Sequence, residues 1–143
     1  MKRILLVDDD PVIRLTYRNK LADAGFEVDI AADGLIAMKL LHSAKPDLMV
    51  LDVMMPKFSG LEVLKYIQSQ ETLKDVRIII LSNMQFGGEQ REAAAIEADK
   101  TLAKSDCTPS VLIAVINEVL TAPRKKTSSK PGRGPSDVKR GLS

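Results

Sequence analysis

The sequence contains a single cysteine, Cys107, and no long apolar run. One cysteine excludes an internal disulfide framework and is typical of a protein kept in a reducing compartment. The apolar run that follows Met1–Arg3 stops after four residues at three aspartates, so we expect no export signal. No other apolar run approaches the length needed to span a bilayer. We therefore expect a cytoplasmic protein that makes no contact with a membrane.

The charges are unevenly distributed along the chain. From Met1 to Ala122 there are 14 Lys and Arg against 18 Asp and Glu, whereas Pro123–Ser143 holds 7 against 1, so the net charges are −4 and +6. The second segment is rich in Pro, Gly, Ser and basic residues and has almost no large apolar side chain, so it cannot form a core. We predict one domain over residues 1–122 and a disordered basic tail or linker over residues 123–143.

The most informative stretch is Lys45–Pro56, a short apolar run enclosed by two prolines. A run of this length without alternation is typical of a strand that is buried on both faces, as in the middle of a parallel sheet. Asp52 lies where this strand should end, at the edge of the sheet where ligands collect in open α/β folds. A carboxylate next to apolar walls needs a metal or a cationic partner.

Strand and helix patterns alternate over the rest of residues 1–122, which predicts five strands, five helices and a doubly wound parallel α/β sheet with helices on both faces. The other predicted strands are Arg3–Val7, Phe26–Ala31, Val76–Leu81 and Thr101–Ala103. The predicted helices cover Pro11–Ala24, Leu35–Ser43, a segment from Leu61 through Ile67, Glu89–Glu97 and a segment from Pro109 to Leu120. In Asp10-Pro11 and Thr108-Pro109 a capping residue precedes a proline, which predicts where the first and last helices begin. Ile13, Tyr17, Leu21 and Ala24 are predicted to face the core from the first helix, and Arg14 is predicted to face outward. From the second helix, Leu35, Met38 and Leu41 or His42 are predicted to face the core.

Polar side chains follow four of the predicted strands: Asp8 and Asp9, then Asp52, Ser82 and Lys104. Parallel strands bring their carboxyl ends to one edge, so these residues should converge. Clustered carboxylates repel each other, and a hard divalent cation such as Mg²⁺ is the natural way to hold them ionised. Sulfur and imidazole ligands suited to zinc are missing from this set. A hydroxyl and an ammonium could bind phosphoryl oxygens, while an aspartate could accept the phosphoryl group.

These motifs resemble the receiver domain of two-component response regulators, the CheY-like superfamily. The resemblance rests on Leu-Leu-Val-Asp8-Asp9, on Asp47-Leu-Met-Val-Leu-Asp52-Val-Met-Met-Pro56 with Gly60-Leu61-Glu62, on Ile-Ile-Ile-Leu-Ser82 and on Ala103-Lys104. It implies a flavodoxin-like sheet of order 2-1-3-4-5 and phosphorylation of Asp52 by a histidine kinase or phosphotransfer protein. It also implies that Asp8, Asp9, Asp52 and the Met54 carbonyl hold Mg²⁺, and that Ser82 and Lys104 hold the phosphoryl oxygens. The family's output face lies on the fourth helix, fifth strand and fifth helix, where a partner or a second copy binds.

Four positions depart from the family pattern or bear on its kinetics. Thr101 stands where receivers usually have an aromatic residue, and Ser105 stands where they usually have a proline. A cis bond before a non-proline residue costs on the order of 3 kcal/mol, so we predict a trans peptide at Lys104-Ser105 and a rearranged loop. Met54 and Met84 cannot orient a hydrolytic water, which predicts a long-lived phosphoryl group.

Two alternatives stay open at this point. Asp8-Asp9-Asp10-Pro11-Val12 also fits the signature of haloacid-dehalogenase-like phosphatases, in which Asp8 would be the nucleophile and Asp10 the acid-base residue. The chain could instead be a receiver-like docking module that works without phosphorylation. The downstream protein partner is not indicated, and nucleic acid would be bound only through the basic tail or through an output domain outside this chain.

Overall fold

A computed structural model describes residues 1–52, 60–82 and 98–122, with the backbone alone for residues 60, 61 and 82. Its centre is a five-stranded parallel sheet in the order β2-β1-β3-β4-β5, as the resemblance implied. The strands are β1 Arg3–Val7, β2 Glu27–Ala31, β3 Leu48–Asp52, β4 Arg77–Ser82 and β5 Lys100–Ala103. Crossovers connect parallel neighbours, so every strand ends at the same edge.

Four α-helices lie within the described residues: α1 Pro11–Asp23, α2 Gly34–Ser43, α3 Gly60–Ser69 and α4 Pro109–Thr121. The predicted helix at Glu89–Glu97 and the predicted tail at 123–143 lie outside the described residues, so the domain boundary at residue 122 stays a prediction. None of the described helices has the length and apolarity needed to cross a membrane.

Short polar residues and prolines determine where the first and last helices begin. The Asp10 carboxylate accepts hydrogen bonds from the backbone N–H groups of Val12 and Ile13, and Pro11 follows it as the first residue of α1. Thr108 accepts a hydrogen bond from the N–H of Val111 ahead of α4, which also begins with a proline. Both devices satisfy N–H groups that a helix leaves free at its first turn, as the sequence predicted.

The sheet separates two apolar cores. One core joins alternate strand residues to α2 and α3 and includes Leu5, Val7, Met49, Leu51, Leu41 and Leu64. The other joins the remaining alternate residues to α1 and α4 and includes Ile4, Leu6, Leu48, Val50, Leu21 and Leu112. All five residues of β3 are buried, which confirms the prediction of a strand covered on both faces.

The predicted inner faces of two helices need correction. Leu35 is 51% exposed, and the residues of α2 that are buried are Gly34, Ala37 and Leu41. Gly34, Ala37 and Leu41 are three and four residues apart, so they lie on one face of α2, and Leu35 falls outside that face. In α1, Tyr17 and Leu21 are buried as predicted. Ala24 is exposed because α1 ends at Asp23 and the chain turns away.

Candidate functional site at the carboxyl edge of the sheet

The register of the sheet places Asp8 beside Asp52, and Lys104 lies two residues beyond the level of Asp52 on β5. Asp52 is the last residue of β3, and Asp8 and Lys104 directly follow the last residues of β1 and β5. The backbone of Ser82 ends β4 at the same edge, beside the strand that leads to Lys104. The pairs that fix these positions are Val7 with Leu51, Asp52 with Leu81 and Leu81 with Leu102.

Three carboxylates converge at this edge, as the sequence predicted. Asp8 is fully buried, Asp52 is 1% exposed and Asp9 is exposed. One carboxylate oxygen from each of them lies within 4.8 Å of the others. Two buried carboxylates and a third at the surface repel each other strongly unless positive charge is placed among them.

Lys104 supplies part of that positive charge. Its Nζ lies 2.9 Å from Asp52 Oδ2 and 3.1 Å from Asp8 Oδ2, and its side chain is only 21% exposed. The contact with Asp52 is a hydrogen bond in which the ammonium donates. A weaker hydrogen bond of 3.4 Å reaches Asp8 Oδ1. The ammonium therefore joins the ends of β1, β3 and β5 around a single charge.

The pKa of Lys104 reflects these contacts. Burial by itself would lower the pKa, because the charged form is removed from water. The hydrogen bond and the charge of Asp52, together with the charge of Asp8, outweigh burial and raise the pKa above its ordinary value. Lys104 is therefore an ammonium throughout the physiological range, and it can neutralise an anionic group that arrives at this edge.

Asp8 is held in place by backbone contacts on both sides. Its Oδ1 accepts the N–H of Asp10 at 2.9 Å, and its own N–H donates to the carbonyl of Ala31 at 3.1 Å. The Arg14 guanidinium donates to the Asp8 carbonyl at 2.8 Å. Within the described residues, Asp8 Oδ2 is buried and accepts no hydrogen bond, although the Lys104 ammonium lies at ion-pair distance.

The buried Asp8 Oδ2 indicates whether the site suits a divalent cation. A buried carboxylate oxygen without a hydrogen bond is costly in free energy unless a cation coordinates it. The donors that converge here are all carboxylate oxygens, which Mg²⁺ prefers, while Cys107 and His42 contribute nothing to the cluster. The residues present therefore fit a hard divalent cation.

Several predicted site features lie outside the described residues. They are the Met54 carbonyl, Met84 and the Ser82 side chain, of which only the backbone position at the end of β4 is described. The two departures from the family pattern, Thr101 and Ser105, lie within the described residues. The Lys104-Ser105 peptide is trans, as predicted, and Lys104–Asp106 forms a 3₁₀ turn. Thr101 is exposed on β5.

Two residues that contact the site were not assigned to it from the sequence. Arg14 was expected to face outward, yet it holds the carbonyl of Asp8. Tyr17 was expected only as a core residue, yet its hydroxyl donates to the carbonyl of Cys107 in the loop after Lys104. A tyrosine on an otherwise apolar helix face was the available signal, because a buried hydroxyl requires a hydrogen-bond partner.

Fold and site together define a class of protein. A flavodoxin-like sheet of order 2-1-3-4-5 carries a buried aspartate at the tip of its central strand, an acidic pair after β1 and a lysine after β5. This combination is the receiver arrangement of CheY-like signalling proteins. The family model for the response regulator receiver domain matches residues 4–117, so the chain belongs to the receiver domains of two-component systems.

Individual relatives agree with this assignment. The response regulator MprA of Mycobacterium ulcerans is 39% identical over 102 residues, a match that covers 71% of this chain and 43% of the relative. This chain therefore spans less than half of that protein's length. The chemotaxis protein CheY4 of Vibrio cholerae has a TM-score of 0.75 at 32% identity and covers 83% of this chain and 98% of its own. A receiver domain from Bermanella marisrubri has a TM-score of 0.75 at 28% identity, with coverage of 83% and 98%.

The phosphatase alternative is not favoured. Asp10 would be the acid-base residue of that enzyme. Its Oδ1 instead caps α1 by accepting hydrogen bonds from the backbone N–H groups of Val12 and Ile13. That reading also leaves Asp52 without a role, although Asp52 is the buried carboxylate that contacts Lys104. The family to which the chain belongs works in signalling and is not a family of classical enzymes.

Proposed function

We propose that this chain is a phosphoacceptor receiver in a two-component phosphorelay and that Asp52 is its phosphorylation site. One observation carries the proposal. The Asp52 carboxylate ends the central strand, is 1% exposed, and lies 2.9 Å from the Lys104 ammonium and beside the carboxylates of Asp8 and Asp9. A histidine kinase or a phosphotransfer protein would be the donor, in keeping with the receiver family.

The proposed reaction transfers a phosphoryl group between two side chains. A carboxylate oxygen of Asp52 attacks the phosphorus of a phosphohistidine, the P–N bond breaks, and its electron pair returns to the imidazole. The product is an acyl phosphate on Asp52. Lys104 neutralises the phosphoryl oxygens, and we assign the Ser82 hydroxyl to the same task from its place at the end of β4. The same groups would support autophosphorylation by small phosphodonors and autodephosphorylation.

We propose Mg²⁺ as the cofactor. Asp8, Asp9 and Asp52 would hold it, with the Met54 carbonyl as a further ligand, because their oxygens converge and Asp8 Oδ2 accepts no hydrogen bond within the described residues. The ion would supply compensation for the negative charge that gathers when a phosphoryl group approaches three carboxylates. The protein's own share is to hold Asp8 and Asp52 level with each other and to keep Lys104 between them.

The output of this receiver is proposed from the family. Phosphorylation would shift the population between two packings of the face formed by the predicted helix at Glu89–Glu97, β5 and α4, which an unidentified downstream protein or a second copy would bind. The curated relatives are longer than this chain, so an output domain elsewhere in the protein is compatible with the match. A cytoplasmic location is part of the same proposal.

The test is chemical mapping of the phosphorylated residue. The protein is incubated with acetyl phosphate and Mg²⁺, and the acyl phosphate is located by mass spectrometry after reduction with borohydride. We expect the label on Asp52, its loss in Asp52→Asn, and no change in Asp23→Asn, a matched control at the exposed end of α1. A label on Asp8 would support the phosphatase alternative. A chain that stays unlabelled would support the docking module.

A further inference from the structure

Helix α1 makes two contacts that reach the opposite halves of the site. The Arg14 guanidinium donates to the carbonyl of Asp8, and the Tyr17 hydroxyl donates to the carbonyl of Cys107. The two residues are three positions apart, so they lie on the same face of the helix. Asp8 belongs to the acidic cluster, and Cys107 ends the loop that carries Lys104. One rigid helix therefore touches both the anionic and the cationic side of the site.

The loop after β5 depends on such a contact. Ser105 replaces the proline that would stiffen this loop, and both Ser105 and Asp106 are exposed. Inside the loop, the N–H of Cys107 donates to the carbonyl of Lys104 at 3.3 Å, which closes the 3₁₀ turn. The Cys107 side chain is 6% exposed and packs in the core shared by α1 and α4. Cys107 is thus the point at which the loop is attached to the domain.

We infer that Tyr17 is a positioning residue that sets the place of the Lys104 ammonium by holding the Cys107 carbonyl. The inference rests on the proposed function, because Lys104 matters for phosphoryl transfer only if Asp52 is phosphorylated. Tyr17 is 7% exposed, so its hydroxyl has little access to water and the carbonyl is its partner. Lys104 in turn keeps its 2.9 Å contact with Asp52 only while its backbone stays in place.

The chemistry of the tyrosine suits this role. Burial is the main reason that the pKa of Tyr17 is raised, with further contributions from Cys107 and from the charge of Asp8. The phenol therefore stays protonated and donates its hydrogen bond at every pH at which the protein works. A phenylalanine would fill the same space without the donor, and it would leave the Cys107 carbonyl buried and unpaired.

The experiment compares two tyrosine-to-phenylalanine variants. Tyr17→Phe removes the loop contact, while Tyr66→Phe removes a hydroxyl that contacts His42 from α3, on the other side of the sheet. We expect phosphorylation of Asp52 by acetyl phosphate to be slower by about tenfold in Tyr17→Phe, because a small displacement of the Lys104 ammonium from the reacting group lowers the rate strongly. Tyr66→Phe should match the wild type. Equal rates in all three proteins would overturn the inference.

A double-mutant cycle separates positioning from general damage to the fold. In a Lys104→Met background, Tyr17→Phe should change the phosphorylation rate by less than about twofold, because the group that it positions is gone. A slowing that persists at full size in this background would show that Tyr17 acts elsewhere, and the inference would be wrong.

A second readout needs no phosphorylation. The side-chain NMR signals of Lys104 should shift in Tyr17→Phe and stay unchanged in Tyr66→Phe, in protein without phosphodonor. Unchanged Lys104 signals in Tyr17→Phe would also refute the inference. An unlabelled wild-type protein would instead refute the proposed function, while these signals would still report whether Tyr17 positions Lys104.

Discussion

Replacing Lys104 by methionine tests the electrostatic arrangement directly. Methionine keeps much of the apolar stem of lysine and removes the ammonium that contacts Asp52 Oδ2 at 2.9 Å and Asp8 Oδ2 at 3.1 Å. The two carboxylates are 1% and 0% exposed, so neither can recover its hydration without local unfolding. The variant would therefore hold two buried negative charges with an exposed third, Asp9, nearby.

The size of the effect follows from the burial of the partners. Removing one member of a buried ion pair costs about 3–5 kcal/mol, because the remaining buried charge loses the compensation that the removed partner supplied. The Lys104 side chain is 21% exposed, so water screens part of the interaction. We therefore expect the free energy of unfolding to fall by about 3 kcal/mol, at the lower end of that range.

The assay is urea unfolding at neutral pH, first in EDTA and then with Mg²⁺. Lys100→Met is the matched control, because Lys100 is an exposed lysine at the start of β5 and should change stability by less than about 0.5 kcal/mol. Mg²⁺ should raise the stability of Lys104→Met more than that of the wild type. Without the ammonium the site is more negative and binds the ion more tightly, and tighter binding to the folded state stabilises it more. If Lys104→Met were as stable as Lys100→Met in EDTA, the account of the ion pairs would be wrong.

Two further predictions concern stability. Arg77→Met should lower the free energy of unfolding, measured in urea, by about 2 kcal/mol, because the Arg77 guanidinium donates hydrogen bonds to the carbonyls of Val119 and Ala122 at the end of α4. Arg18→Met, on the exposed surface of α1, is the control. An equal loss of stability in both variants would contradict the reasoning. The stability that the wild type gains over Lys104→Met should also depend on pH in one direction: the folded-state pKa of Lys104 is raised above 10.5, so the gain should be complete below pH 10.5 and disappear as the pH rises through the folded-state value. Unfolding midpoints of both proteins across alkaline pH measure this difference, and a gain that already declines at neutral pH would contradict the assigned direction.

Much of the fold could be predicted because its signals are local. The apolar run between Lys45 and Pro56 predicted a buried central strand, and β3 is buried at all five positions. Asp10 and Thr108, each followed by proline, predicted the first residues of α1 and α4. Such signals need only neighbouring residues, because capping, helix periodicity and strand length are properties of a few consecutive positions.

The members of the site could also be predicted, but their contacts could not. Parallel strands bring their ends together, so Asp8, Asp9, Asp52 and Lys104 were expected at one edge. The pairing of Lys104 with two carboxylates depends on the register of β1, β3 and β5, which the sequence does not state.

Sequence alone determined the alternation of strands and helices, the capped helix starts and the set of chemical groups at the sheet edge. Tertiary structure alone decided that Leu35 is exposed, that the Tyr17 hydroxyl contacts the Cys107 carbonyl and that the Arg77 guanidinium donates to carbonyls at the end of α4. The physical reason is range: a cap or a strand pattern is an interaction between near neighbours, whereas a hydrogen bond across 90 positions of chain exists only after the sheet and its helices have packed.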